Sequence, residues 1–330
     1  VISLFSLVAI VMVGTGPDPT GAVLASSEFQ AWFDQANTGR LSIPPDVERV
    51  ARQYRYVFVA GFQNERMPGY FGQNVKELRA RGIPKRLIHF ITPDSDDTVA
   101  GNAGAVRKRF LEIAGEGPEE LVIIAHSRGA CDALAFALND PQFVCDHVRA
   151  MFLLQGPFGG TGIADYLVGV GPAMDQAMPW GSRTIARVIG SLERYVIQKG
   201  KHGGVPGLTT ESSEEFWEQL LTERAAAVPI VGPKTFYVTA KTAPRQLRAF
   251  KRAVAWYLEA YFGANDGMVA LADQSVPGVG SVIAVLDAGH TDLTNQFPSA
   301  KPRQRMRKAL IDAIIMTVGQ PEVEQAAEGL

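Results

Sequence analysis

The sequence predicts an α/β chain: a mostly parallel central sheet flanked by helices, interrupted by a helical insertion. Two observations carry this. From residue 55 onward, apolar runs of strand length alternate with segments of helical spacing, the mark of βαβ units. Between residues 156 and 231 that rhythm stops, in a Gly- and Pro-rich stretch without a convincing strand, and afterwards it resumes. With 330 residues, 46% of them hydrophobic, there is material for one large core or two modest ones.

The elements follow in order. YRYVFVAGF (54–62) is aromatic and β-branched and ends in Gly, so it is read as a strand. FGQNVKELRARGI (71–83) has helical spacing, with Gly82 as a stop signal. RLIHFITP (86–93) is a strand ended by Pro93. Residues 102–114 form a helix with Val106, Phe110 and Ile113 on one face. EELVIIA (119–125) is the next strand, followed by an Ala-rich helix over 128–138, and VRAMFLLQG (148–156) is a further strand. Inside 156–231 only helical segments near 181–198 and 211–226 stand out. After it come a strand (234–241), a helix (245–263), a last strand (281–289) and a terminal helix (303–319), with the final eleven residues as a frayed tail. The expected organisation is therefore a core of residues 26–155 and 232–330 with a cap or lid insertion at 156–231.

Residues 1–13, VISLFSLVAIVMV, are apolar and uncharged, and a turn-rich gap and the small residues of AVLASS follow. The run is shorter than the roughly 20 residues that span a bilayer. It fits the apolar region of a secretory signal occupying 1–25, so a secreted or periplasmic location is expected. A buried first strand and a membrane anchor formed by residues 1–13 are the alternatives. The formal charge is −2 and no basic stripe carries interleaved aromatics, which argues against nucleic acid as a partner. Cys131 and Cys145 lie near the start and beyond the end of one predicted helix. At about 1.5 Å of rise per residue they are too far apart to pair, so both are read as free thiols.

The chemistry centres on IIAHSRGACDALAFAL (123–138). Here an apolar strand gives way to Ser127 and then at once to a helix. A serine exposed on such a turn needs small neighbours, and A-x-S-x-G supplies Ala125 and Gly129 where G-x-S-x-G would have two glycines. Ala130, Ala133 and Ala137 let the helix approach the sheet. A serine in a βα loop also serves as an ordinary N-cap, so the assignment as nucleophile depends on its partners. A hydroxyl needs a base, and the base an orienting acid.

In this fold order both follow the serine beyond late strands. His290, in VLDAGHTDL, follows the last strand, and it is the only histidine after residue 202. Asp266, in GANDGMV, occupies a Gly-rich loop one strand earlier. Asp287 is the rival acid, but it would have to fold back to reach the imidazole. His89 lies within a strand, His126 borders the nucleophile facing away, His147 precedes a strand at the wrong end, and His202 falls in the insertion. For the oxyanion, the backbone N–H groups of Arg128 and of Phe62 or Gln63 are the candidates.

A-H-S-x-G, N-D-G-M-V and G-H-T-D-L-T-N-Q in that order resemble the bacterial triacylglycerol lipases and esterases of the α/β-hydrolase superfamily. LLQGPFGGTGIADYL (153–167) is similar to the segment ahead of the lid in that family. The likeness covers roughly residues 55–170 and 234–300. It implies the α/β-hydrolase fold, a triad of Ser127, Asp266 and His290, and oxyanion donors at Arg128 and Phe62. It also implies an acyl ester or lipid substrate and contact with a lipid interface.

No cofactor is expected. The family often holds a structural Ca²⁺ through an Asp two residues after the histidine, here Asp292. Its second Asp has no counterpart, because residues 242–258 contain no acid, and one carboxylate is too little for Ca²⁺. Phe62, Phe158 and Val269 would share an acyl pocket with the insertion, whose Tyr166, Leu167, Trp180, Trp217 and Leu220 could form a lid or simply a core layer. An acyltransferase or thioesterase using the same three residues, or a catalytically silent fold serving as a binding module, are the other readings.

Overall fold

The computed structural model describes residues 26–62, 69–172, 204–247, 249–294 and 301–320. Six strands, β1 (Arg55–Val59), β2 (Ile88–Ile91), β3 (Leu121–His126), β4 (Val148–Leu154), β5 (Thr235–Lys241) and β6 (Ser281–Asp287), form one sheet in the order β2-β1-β3-β4-β5-β6. Every neighbouring pair is parallel. Side chains along a strand alternate between faces, and the core divides accordingly. Tyr56, Phe58, Val122, Ile124, Phe152 and Leu154 point to one layer. Val57, Val59, Ile123, Ala125, Met151 and Leu153 point to the other.

The first layer is closed by α1 (Ser26–Asn37), α2 (Pro45–Ala51), α3 (Gly72–Ala80) and the last helix, whose Leu310, Ile311, Ile314 and Ile315 are all buried. The second is closed by α4 (Val99–Ala114), α5 (Arg128–Asn139) and α6 (Pro141–His147). Phe110, Phe136 and Phe143 join these three helices, the first two stacked 4.5 Å apart. After β4 come α7 (Gly162–Val168) and α8 (Thr210–Glu223), then, beyond β5, α9 (Ala249–Phe262) and, beyond β6, α10 (Lys301–Val318). Trp217 and Leu220 of α8 are buried in the second layer, with Trp217 5.4 Å from the Phe158 ring. These two belong to the core, which is one of the two roles their sequence allowed. The helix expected over 181–198, Trp180, His202, the N-terminal segment 1–25 and residues 321–330 of the tail lie outside the described residues.

Two helices, α1 and α2, precede the first strand where no element had been read, and α6 is a short helix between α5 and β4. Among the described residues no helix is long and apolar enough to cross a membrane. Cys131 is buried and Cys145 exposed, and both are free.

The strand order positions the site. The chain leaves β1 for β2 on one side, and β3 returns to the opposite side of β1. Connections that depart in opposite directions open a crevice at the carboxyl ends of the two strands. The loop after β1 and the turn after β3 flank that crevice.

Candidate active site

Ser127 stands between the last residue of β3 and the first of α5, with φ 56° and ψ −136°. A non-glycine residue held there costs about 1–3 kcal/mol. The surrounding ladder fixes it: the Ser127 N–H donates to the Leu154 carbonyl at 2.9 Å, one residue past the β3–β4 pairing of His126 with Leu154. The turn is as tight as its small residues suggest. A Cβ at Gly129 would lie 2.4 Å from the Ala60 carbonyl oxygen, and one at Gly61 would lie 2.7 Å from the Ser127 Cβ. Larger residues at 61 or 129 would force the β1 loop off the elbow.

The side chains of the three predicted residues meet. His290 Nε2 is 3.0 Å from Ser127 Oγ, and His290 Nδ1 is 2.8 Å from Asp266 Oδ2. A carboxylate only accepts, so Nδ1 carries the proton and Nε2 is left to accept from the serine hydroxyl. Asp266 is 1% exposed and takes four donors: His290 Nδ1 and Gln155 Nε2 (2.8 Å) on Oδ2, and the Met268 and Val269 N–H groups (2.9 Å each) on Oδ1. Its acceptor positions are filled, which fixes the plane of the carboxylate. The His290 N–H also donates to the Asp266 carbonyl at 2.8 Å, so the acid loop and the base loop are tied through backbone as well. Asp287, the rival acid, is exposed and accepts from Gln246 at 3.3 Å.

Sequence reasoning missed Gln155. It follows β4 with φ 49°, its N–H donates to Val238 at 3.1 Å, and its amide reaches across to the acid. No motif announces it; only the pairing of β4 with β5 brings it near Asp266.

Arg128 opens α5, where the first N–H groups of a helix lack intrahelical acceptors. Its guanidinium, 2% exposed, turns away to the carbonyls of Asp94 and Ser95. Gly61 packs on Ser127, and Phe62 follows it half-buried; Gln63, the other candidate donor, lies outside the described residues. Val269 is buried beside Asp266, whereas Phe158 packs between Trp217 and Tyr237 in the core.

His126 was expected to face away from the site, but its Nε2 lies 2.7 Å from the backbone oxygen of His290. Burial, reinforced by the neighbouring His290, pushes its pKa well below the usual histidine range. His89 contacts Glu116 at 3.7 Å near the sheet edge, and His147 ends α6.

Asp292 does not fit Ca²⁺. Arg303 Nε already sits 2.6 Å from its Oδ1, and the Gly289 N–H occupies Oδ2 at 3.0 Å. Lys251, which bonds Thr291 at 2.7 Å, and Arg307, which reaches the Asp292 carbonyl at 3.4 Å, add positive charge nearby. Among the described residues no group of three or more His, Cys, Asp or Glu gathers as a metal site would.

No protein-family model and no curated protein sequence matches the chain. Solved structures do match. The metagenomic carboxyl esterase MGS0156 aligns with a TM-score of 0.59 at 16% identity, over 93% of this chain and 81% of its own. The mature lipase BlEst2 of Bacillus licheniformis aligns at 0.49 and 18% identity, over 71% and 84%. The phospholipase PlaB of Legionella pneumophila aligns at 0.44 and 18% identity, over 67% and 45%. Identities this low speak to fold and not to activity. With its parallel sheet, the elbow at the switch point and the likeness to the first of these enzymes, the chain has the α/β-hydrolase fold.

Proposed function

We propose that the protein is a serine ester hydrolase acting on acyl esters through Ser127, His290 and Asp266. The observation that carries this reading is the continuous relay from Ser127 Oγ to His290 Nε2 (3.0 Å) and from His290 Nδ1 to Asp266 Oδ2 (2.8 Å). The esterase named by the structure at TM-score 0.59 supports it by analogy of fold.

In the reaction, Ser127 Oγ attacks the ester carbonyl carbon while its proton passes to His290 Nε2. The developing oxyanion is held by the N–H groups of Arg128 and Phe62. Collapse breaks the bond to the alcohol, which takes the proton from His290 and leaves Ser127 acylated. Water then attacks the acyl carbon, giving a proton to His290, and the second collapse releases the acid and returns the proton to Ser127. Asp266 keeps the imidazole in one tautomer and stabilises the imidazolium formed twice per turnover.

Lipid esters are included among the substrates, and the apolar run at residues 1–13 supports an exported enzyme that meets them outside the cytoplasm. Hydrolysis of p-nitrophenyl esters of short and long acyl chains, beside Ser127→Ala, tests the reading. Hydrolysis should be present in the parent and fall by about 10³-fold or more in the variant, and the chain-length profile then separates lipase from esterase. Equal rates in both proteins would remove Ser127 as the nucleophile.

A further inference from the structure

One buried polar chain beside the site is not used by the relay. His126 is 1% exposed, and its ring lies between Tyr70 and His290, with centroids 5.7 and 4.9 Å away. The His290 carbonyl can only accept, so His126 Nε2, at 2.7 Å, must carry the proton. Nδ1 is then an acceptor and takes the hydroxyl proton of Tyr70. The Tyr70 oxygen in turn accepts the Gly61 N–H at 3.2 Å. One neutral tautomer satisfies all three bonds in sequence; a protonated His126 would present an N–H to Tyr70 where this tautomer presents a lone pair.

The chain of bonds runs from the loop after β1 to the loop after β6, whose strands are separated in the sheet by β3, β4 and β5. It passes beneath Ser127, through the residue immediately before it. We propose that Tyr70 and His126 are positioning residues, a neutral strap that ties the Gly61–Phe62 oxyanion loop to the backbone of His290 across the nucleophile.

The strap rests on the serine-hydrolase reading and sets how its two halves meet. The oxyanion donor on one side and the base on the other must keep their spacing while charge appears on both. Neutrality matters for the same reason, because a cationic His126 would repel the imidazolium that His290 becomes. Lys251 adds positive charge near His126, and burial acts in the same direction. Among the described residues Gln155, Tyr70 and the His290 ring lie beside His126.

The test compares Tyr70→Phe, His126→Gln and His126→Leu with the parent, singly and with Tyr70→Phe combined with each. A p-nitrophenyl ester is the substrate, and rates are expressed per site labelled by a fluorophosphonate. Gln keeps an N–H near the Nε2 position, so it retains the bond to the His290 carbonyl; Leu retains neither bond. Tyr70→Phe keeps the ring and removes only the hydroxyl.

The strap predicts that Tyr70→Phe lowers kcat per labelled site about tenfold, with KM changed less than about twofold. It predicts that His126→Gln keeps several-fold more kcat than His126→Leu. It also predicts that Tyr70→Phe costs less in the His126→Leu background than alone, as coupled residues must. A merely structural role would lower melting temperature or the labelled fraction and leave kcat per site unchanged. That result for Tyr70→Phe, in a parent that is labelled and active, overturns the strap alone. A folded parent that takes no label and cleaves no ester overturns the hydrolase reading, and the strap with it.

Discussion

Asp266 holds four donors on two oxygens, and one of them comes from Gln155, a side chain that, among the described residues, makes no hydrogen bond to Ser127 or His290. Removing that donor while keeping the volume, as Gln155→Leu does, frees the carboxylate to rotate about its remaining bonds. A hydrogen bond to a charged group contributes about 1.5–3 kcal/mol. If that is expressed at the relay, kcat falls about 10- to 100-fold, and KM stays near the parent value because no substrate contact is lost. Steady-state kinetics on a p-nitrophenyl ester decides it, and an unchanged kcat would relegate Gln155 to packing.

That Ser127, Asp266 and His290 would meet was legible because their types and order follow a chemical pattern: a serine on a strand-to-helix turn, then an acid loop, then a histidine after the last strand. Gln155 and Tyr70 were not. Each is an ordinary residue in sequence: the pairing of β4 with β5 carries Gln155 to Asp266, and Tyr70 meets His126 from the segment ahead of α3, neither of which a local pattern encodes. Asp292 could be named from its spacing to His290, but its partner Arg303 comes from the start of α10 and was invisible there.

At the scale of elements, α5 shows how a helix is made to fit an elbow and what that leaves inside. Ala130, Ala133 and Ala137 are fully buried, which brings the helix axis close to β1 and β3. The same approach buries Asp132, one turn after Arg128, at 2% exposure. Among the described residues neither carboxylate oxygen has a hydrogen-bond partner, and Arg128 Nε stands 3.6 Å away. Burial pushes the Asp132 pKa up to about 7, with the Arg128 charge opposing and Asp97 adding to the rise.

In the unfolded chain the group titrates near 3.8. Between about pH 4 and 7 the native state therefore holds a proton that the unfolded state has released. The stability contributed by this group is present below pH 4, is lost as pH rises toward 7 and is flat above. Asp273, pushed to about 7 by its own burial, adds a slope of the same sign. Asp132→Asn removes one of these slopes. The melting temperature of the variant relative to the parent should climb from pH 4 to 7 and then level, and thermal unfolding across that range would show it. A constant difference would mean that Asp132 is ionised throughout in the fold.

Element types were readable from alternation and spacing, but their ends were not. The strand read over 54–62 is a strand only over Arg55–Val59: the Ala60 N–H makes one more bond, to the Ile91 carbonyl at 3.0 Å, and Gly61 then turns to meet the elbow. The helix read over 245–263 begins at Ala249, after a 3-10 turn at Pro244–Gln246 that proline initiates. α1 and α2 carry too little contrast in spacing to declare themselves, and their place on the first core layer depends on α10, far along the chain.

On the scale of the molecule, a single reversal in strand order decides where chemistry can occur. β1 and β3 are neighbours whose connections leave in opposite directions, and every group of the relay converges on the crevice this opens. Alternation in the sequence implied a parallel sheet, yet the order β2-β1-β3-β4-β5-β6 is a property of long-range packing. Asp266 and His290, set by β5 and β6, arrive from more than 130 residues beyond the serine they meet.

The proposed hydrolase depends on this convergence activating Ser127. Reaction of the folded protein with a fluorophosphonate, read by intact mass and then by peptide mapping, tests it without knowledge of the natural ester. One adduct per chain is expected on the peptide holding Ser127, none on Ser127→Ala, and much slower labelling of His290→Gln. Folded parent protein that takes no adduct, or Ser127→Ala labelled at the parent rate, would contradict it.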